Sequence, residues 1–122
     1  MSKRLHEKLA ALKAEGRAGL VPFFSVGDPD LDTSRRAILA AAEAGADVIE
    51  LGVPFSDPIA DGTVIQESSQ RALAAGSSLA RVLEMIADLR QHTDVPLVVF
   101  GYYNPFFRYG EDAFARDAVA AE

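Results

Sequence analysis

A chain of 122 residues is long enough for one small domain and too short for two. Eighteen acidic residues against twelve basic ones leave a net charge of −6, which argues against nucleic acid or an anionic membrane as the main partner. Forty-nine per cent of the residues are apolar, so a core can be buried, and the absence of cysteine excludes a disulfide framework and a thiolate metal site.

Residues 3–15 carry Leu5, Leu9 and Leu12 at helical spacing, with Gly16 as a stop. The charge spread through this stretch leaves no apolar signal-peptide core, and no run approaches the ~18 apolar residues of a membrane span. A soluble, cytoplasmic protein is expected. Residues 19–26 read as a strand closed by Gly27-Asp28-Pro29, a turn to which no chemistry is assigned. Residues 31–44 read as a helix capped by Asp30 or Asp32 and ended by Gly45.

A second strand is expected over 47–53, a loop over 54–62 and a short helix over 64–74 that ends at Gly76. Ser77 or Ser78 then caps a helix over 79–90. Residues 95–100 read as a third strand. The stretch GYYNPFFRYG reads as an aromatic loop with a turn at Asn104-Pro105, and 112–120 as the start of a last helix.

The order is one helix, then a strand-plus-helix unit three times. Such alternation implies parallel strands joined by right-handed crossovers. The expected fold is α/β, the first three βα units of a (β/α)8 barrel preceded by a helix, with residues 1–122 the N-terminal part of one barrel domain. Three strands are too few for such a barrel, which takes ~250 residues. The chain also stops in a predicted helix without a Gly or Pro. It therefore reads as a truncated sequence, a fragment, or a piece that assembles with a partner.

Glu50 is the leading candidate for chemistry. It lies between Ile49 and Leu51 on an apolar strand, where a carboxylate is costly unless it is paired or used. Strand alternation puts Val48, Glu50 and Gly52 on one face and Ile49 and Leu51 on the other. If the second face packs on helices, Glu50 points into the barrel, and burial would push it towards neutrality and suit it to proton transfer. It is also read as a strand-end Glu that simply reaches water. Asp61, eleven residues on, is either a second carboxylate over the same pocket or a turn former of the Asp-Gly type. Asp57 is a third acid in that loop. Together they could offer oxygen ligands to Mg²⁺, but a metal site is not expected. Phe23 reads as a core aromatic, and Tyr102, in a loop, as a pocket residue. Phe100, Tyr102, Tyr103, Phe106, Phe107 and Tyr109 make residues 100–109 a candidate protein interface. His6 and His92 lie on predicted helices without a nucleophile or metal spacing. No phosphate-loop or dinucleotide pattern is present.

Four stretches stand together in order: LVPFFSVGDPD (20–30), DVIELGVPFSDPIADG (47–62), GTVIQESSQRAL (62–73) and GYYNPFFRYG (101–110). They resemble the tryptophan synthase α subunit family from about Leu20 to the end. The resemblance implies a lyase that cleaves indole-3-glycerol phosphate to indole and glyceraldehyde 3-phosphate by a retro-aldol-type scission. It implies Glu50 as general acid/base, Asp61 as acceptor of the indole N–H, and Phe23 and Tyr102 as walls of the indole pocket. Pro54 and Asp57 would then lie in the loop that faces the β subunit, and Asn104 and Phe107 in a region that touches it. No cofactor is implied for this chain; the partner β subunit, in an α2β2 complex, would hold pyridoxal phosphate.

In such barrels the loops after strands 7 and 8 usually grip the substrate phosphate, and this chain has no such loops. The 122 residues alone are therefore expected to be nearly inactive. A non-catalytic module that docks to the β subunit is the rival reading. A phosphosugar-binding barrel of another specificity is a weaker third.

Overall fold

In a computed structural model, which describes residues 2–122, nine elements follow one another: α1 (Lys3–Glu15), β1 (Phe23–Ser25), α2 (Leu31–Glu43), β2 (Ile49–Gly52), α3 (Thr63–Ala74), α4 (Leu79–Leu89), β3 (Leu97–Phe100), α5 (Tyr103–Tyr109) and α6 (Glu111–Ala121). The strands form one parallel sheet in the order β1-β2-β3.

The helix boundaries follow from their caps. Gly16, at φ 64°, ends α1 in the left-handed conformation that glycine adopts without a steric penalty. Of the two aspartates able to cap α2, Asp30 does so, accepting from the Thr33 amide at 2.8 Å. Of the two serines before α4, Ser78 is the cap. Ser77 turns inward and donates to the Val26 carbonyl at 2.5 Å.

All three strands are shorter than expected, and β1 and β3 are cut at proline. The Pro22 carbonyl accepts from Glu50 N–H and the Pro96 carbonyl from Ile49 N–H, each at 2.9 Å. Neither proline has an amide proton to continue its ladder. Leu20, expected inside β1, is 63% exposed.

Residues 101–110 correct the expected aromatic loop. Seven of them form α5, and Asn104-Pro105 lies in its first turn rather than in a loop turn. Pro105 is the third helical residue, where the backbone N–H lacks an intrahelical partner in any case. Phe106 packs edge-on against Phe114 of α6, ring centroids 4.9 Å apart. The proline and flanking glycines gave this segment its loop-like pattern.

The core lies between the sheet and its helices. Ile49 and Leu51 of β2 are fully buried with Val26, Ile38, Val82 and Leu89. Helix α4 contributes Leu79, Val82, Leu83, Met85, Ile86 and Leu89, an apolar stripe at helical spacing. Asp47, just before β2, anchors the opposite end of the sheet from the strand C-termini. It accepts from both terminal nitrogens of Arg17 and from the Leu20 amide, each at 2.9 Å. These bonds, first those of Arg17, hold its carboxyl well below the usual carboxylate range.

Candidate active site

The strand register decides which side chains meet. Paired residues of a parallel ladder project to the same side, and successive residues alternate. Phe23, Glu50 and Val98 form one row across the sheet. Ser25, Gly52 and Phe100 form the next row on the same face, nearer the strand C-termini. Phe24, Leu51 and Val99 face the helices and join the core. Glu50 therefore stands on the face away from the helices, as alternation requires, while both its neighbours are buried. It is half-buried, so the deep burial expected of it is not present within this chain.

Above this face a small cavity of about 30 Å³ opens between Phe23, Ser25, Gly52, Asp61, Phe100 and Tyr102, with Phe55, Ile65 and Ser69 also lining it. A drug-sized ligand takes several hundred cubic ångströms, so this cavity within the chain does not by itself hold one. Three of the expected site residues, Phe23, Asp61 and Tyr102, thus meet around one space. Glu50 lies on the same face one row below. The Phe23 ring crosses over Gly52 and meets Phe100 edge-on at 6.1 Å.

Asp61 is held from two sides. Its amide donates to the Pro58 carbonyl at 3.1 Å, and its own carbonyl accepts from Gln66 Nε2 at 3.0 Å. Its carboxylate oxygen Oδ2 accepts from the Tyr102 hydroxyl at 3.1 Å. That hydroxyl in turn accepts from the Ala60 amide at 2.9 Å. Tyr102 precedes α5 and its ring stacks at a tilt on Phe55, 5.3 Å between centroids. The loop of residues 54–62 is thereby tied to the end of β3.

A second tie was not foreseen from the sequence. Asp28, in the turn to which no chemistry was assigned, accepts from Ser68 Oγ at 2.6 Å and from Arg71 Nε and Nη2 at 2.7 and 2.9 Å. The Arg71 bonds, first of these, hold its carboxyl below the ordinary range. This clamp joins the loop after β1 to α3, the helix that starts two residues past Asp61. Nothing in a Gly-Asp-Pro pattern names a partner 40 residues away.

The four residues expected at a protein interface are distributed unevenly. Asp57 is exposed, and its carboxylate accepts from Ser56 Oγ at 2.6 Å. Asn104 and Phe107 are exposed on α5, Phe107 by 67%. Pro54 is buried at the base of its loop. A larger cavity, about 380 Å³, opens between Pro54 and Phe55, the turn before α4, and Pro105, Arg108 and Tyr109. It holds neither Glu50 nor Asp61, so its size marks no reacting centre. Among the described residues no three His, Asp or Glu side chains gather as a metal cage. His6 is exposed on α1, and His92, expected on a helix, is exposed in the turn three residues past the end of α4, its Nε2 3.0 Å from Arg35 Nη2. No described helix is long and apolar enough to cross a membrane.

The family model for the tryptophan synthase alpha chain matches residues 9–122. This chain belongs to that family. It is 52% identical over 118 residues to the tryptophan synthase alpha chain of Citrifermentans bemidjiense, covering 97% of this chain and 44% of that one. It is 56% identical over 111 residues to the alpha chain of Desulfatibacillum aliphaticivorans, covering 91% and 42%. The chain thus spans a little under half the length of the curated relatives it matches. The crystal structure of the alpha subunit from Legionella pneumophila superposes with a TM-score of 0.95 at 38% identity, covering 99% of this chain and 47% of that one. An aminoacrylate-bound tryptophan synthase from M. tuberculosis superposes at 0.91 and 38% identity, covering 98% and 49%. The fold is accordingly three βα units of a TIM barrel behind an N-terminal helix. The barrel is incomplete within this chain.

Proposed function

We propose that this chain carries the indole-cleaving residues of a tryptophan synthase alpha chain, a cytoplasmic lyase that converts indole-3-glycerol phosphate to indole and glyceraldehyde 3-phosphate. The observation that carries the reading is the meeting of Phe23, Asp61 and Tyr102 around one space at the strand C-termini, with Glu50 on the same face. In barrels of this kind that end is where the chemistry is done.

The reaction needs two proton movements. A proton added at indole C3 turns the ring into an electron sink. A base takes the proton of the glycerol hydroxyl next to the bond that breaks. The C–C electron pair then returns to the ring, leaving indole and an aldehyde. Glu50 serves these transfers as general acid and base. Asp61 accepts the ring N–H and stabilises the positive charge that develops on nitrogen. Phe23 and Tyr102 flank the ring. The step needs no cofactor in this chain.

The partner is a β subunit that holds pyridoxal phosphate and consumes the indole in an α2β2 assembly. Asp57, Asn104 and Phe107 present exposed side chains for that contact, and Pro54 is buried at the base of the loop that carries Asp57. The 122 residues include no strand-7 or strand-8 loop to hold the phosphate, so on their own they are expected to turn over little substrate.

Indole release by the gene's full polypeptide, with and without Glu50→Gln, tests the reading. Activity that falls by at least about 10³-fold in the variant, with β-subunit docking retained, supports it; proton-transfer groups contribute about 10²–10⁴-fold each. Docking without any indole release from the unsubstituted protein would instead support a non-catalytic module.

A further inference from the structure

We propose that Tyr102 is a positioning residue whose hydroxyl turns Asp61 so that its second oxygen, Oδ1, is presented to a ring N–H. By this means it sets a preference for indoles with a free N–H over N-alkylated ones. The proposal rests on the functional reading above and adds a role for a group there treated only as a pocket wall.

The argument starts from the single proton of a phenol. Tyr102 Oη accepts from the Ala60 amide at 2.9 Å. That contact occupies a lone pair, and the hydroxyl proton is directed to Asp61 Oδ2, 3.1 Å away. A hydroxyl between an N–H donor and a carboxylate thus has its direction set by its partners. The bond takes one carboxylate oxygen and leaves Oδ1 for another donor.

The backbone of Asp61 is already secured by Pro58 and Gln66. Of the two Tyr102 bonds, the one from Ala60 ties the loop to the end of β3, and the one to Asp61 Oδ2 adds control of the carboxylate plane. Tyr102 is itself well placed to give that control. It sits between the end of β3 and the first turn of α5, with its ring against Phe55. Phenylalanine at this position would keep the ring contact and remove both hydroxyl bonds.

The cavity that Asp61 lines is largely apolar, with Phe23, Phe100 and Ile65 among its walls. In such surroundings an acceptor without a donor is costly, so a ligand that brings an N–H is favoured over one that brings a methyl group.

The test is Tyr102→Phe in the gene's full polypeptide with its β subunit, using indole and 1-methylindole as calorimetric probes. The unsubstituted protein is expected to bind indole about 10-fold more tightly, the order of one charge-assisted hydrogen bond. In Tyr102→Phe that ratio is expected to fall to about twofold while affinity for 1-methylindole stays within about twofold. For indole-3-glycerol phosphate, kcat is expected to drop about 10-fold with KM within about threefold. An unchanged ratio would overturn the proposal. Equal loss for both probes would also overturn it, because Tyr102 would then be only a wall. No preference in the unsubstituted protein would show that Asp61 is not the N–H acceptor, removing the functional reading as well. That outcome is visible before any substitution is made.

Discussion

The Phe23 ring lies where a side chain on Gly52 would stand: a β-carbon at Gly52 would come within 2.4 Å of Phe23 Cζ. The two residues sit on neighbouring strands and one face, a register step apart. Glycine at 52 is what lets the ring lean across β2 towards Phe100 and close one side of the cavity. Gly52→Ala is expected to push the ring off this position, because the added carbon also meets the Phe24 carbonyl at 3.2 Å. Overpacking of this size costs about 1–3 kcal/mol. Indole affinity should fall several-fold, beyond what the stability loss explains. Urea unfolding and indole calorimetry on the same preparation check this, and unaltered affinity would place the Phe23 ring outside the pocket.

Asp28 and Asp47 are two of the carboxylates through which acid destabilises the fold, beside Asp30, Asp88 and Asp117. Both have carboxyls held below the usual value, Asp28 first by Arg71 and Asp47 first by Arg17. A folded-state pKa below the unfolded one gives stability that is complete above the unfolded value, about 3.9, and is lost as pH falls through the folded value. Stability should therefore be flat from pH 7 to about 5 and decline below about 4. Asp47→Asn should lower stability at neutral pH and flatten the acid decline. Asp28→Asn should cost only about 1 kcal/mol, since Arg71 is half exposed and solvent screens the pair. Its larger effect should be on kcat, through α3 and Asp61. Melting temperature against pH for the three proteins decides; parallel curves would show that other groups carry the acid response.

Adjacent serines before α4 should respond differently. Ser77→Ala strands the buried Val26 carbonyl, a loss of about 1–3 kcal/mol. Ser78→Ala removes a helix cap at the surface, about 1 kcal/mol. Ser77 also stands 2.7 Å from where a β-carbon on Gly27 would be, so the turn after β1 and the start of α4 are packed as one unit. Ser77→Ala should therefore weaken substrate turnover as well as stability, and Ser78→Ala stability alone. Chemical denaturation with an indole-release assay separates them; equal effects on activity would contradict this coupling.

Most elements could be read along the chain because the signals are local. Gly16 ended α1, an aspartate at 30 or 32 opened α2, and alternation around Glu50 named the face it occupies. The aromatic segment misled because proline and glycine mark loops and helix first turns alike, and only packing of Phe106 on Phe114 distinguishes them. Phe23, Asp61 and Tyr102, singled out chiefly through long motifs in a fixed order, line one cavity, and Glu50 lies one row below it on the same face. The Asp28–Arg71 clamp was not, since an ion pair between residues 43 apart leaves no periodic trace.

The sequence by itself determined the order of the strands and of every helix but α5, that the strands run parallel, and which family the chain resembles. These depend on spacing, caps and motif order, all short-range properties of the chain. Only the tertiary structure decided that Tyr102 reaches Asp61, that Phe23 lies over Gly52, and that Ser77 rather than Ser78 turns inward. Those contacts form when strand register brings distant segments to within hydrogen-bond or van der Waals reach. Register is a property of the assembled sheet that no single strand carries.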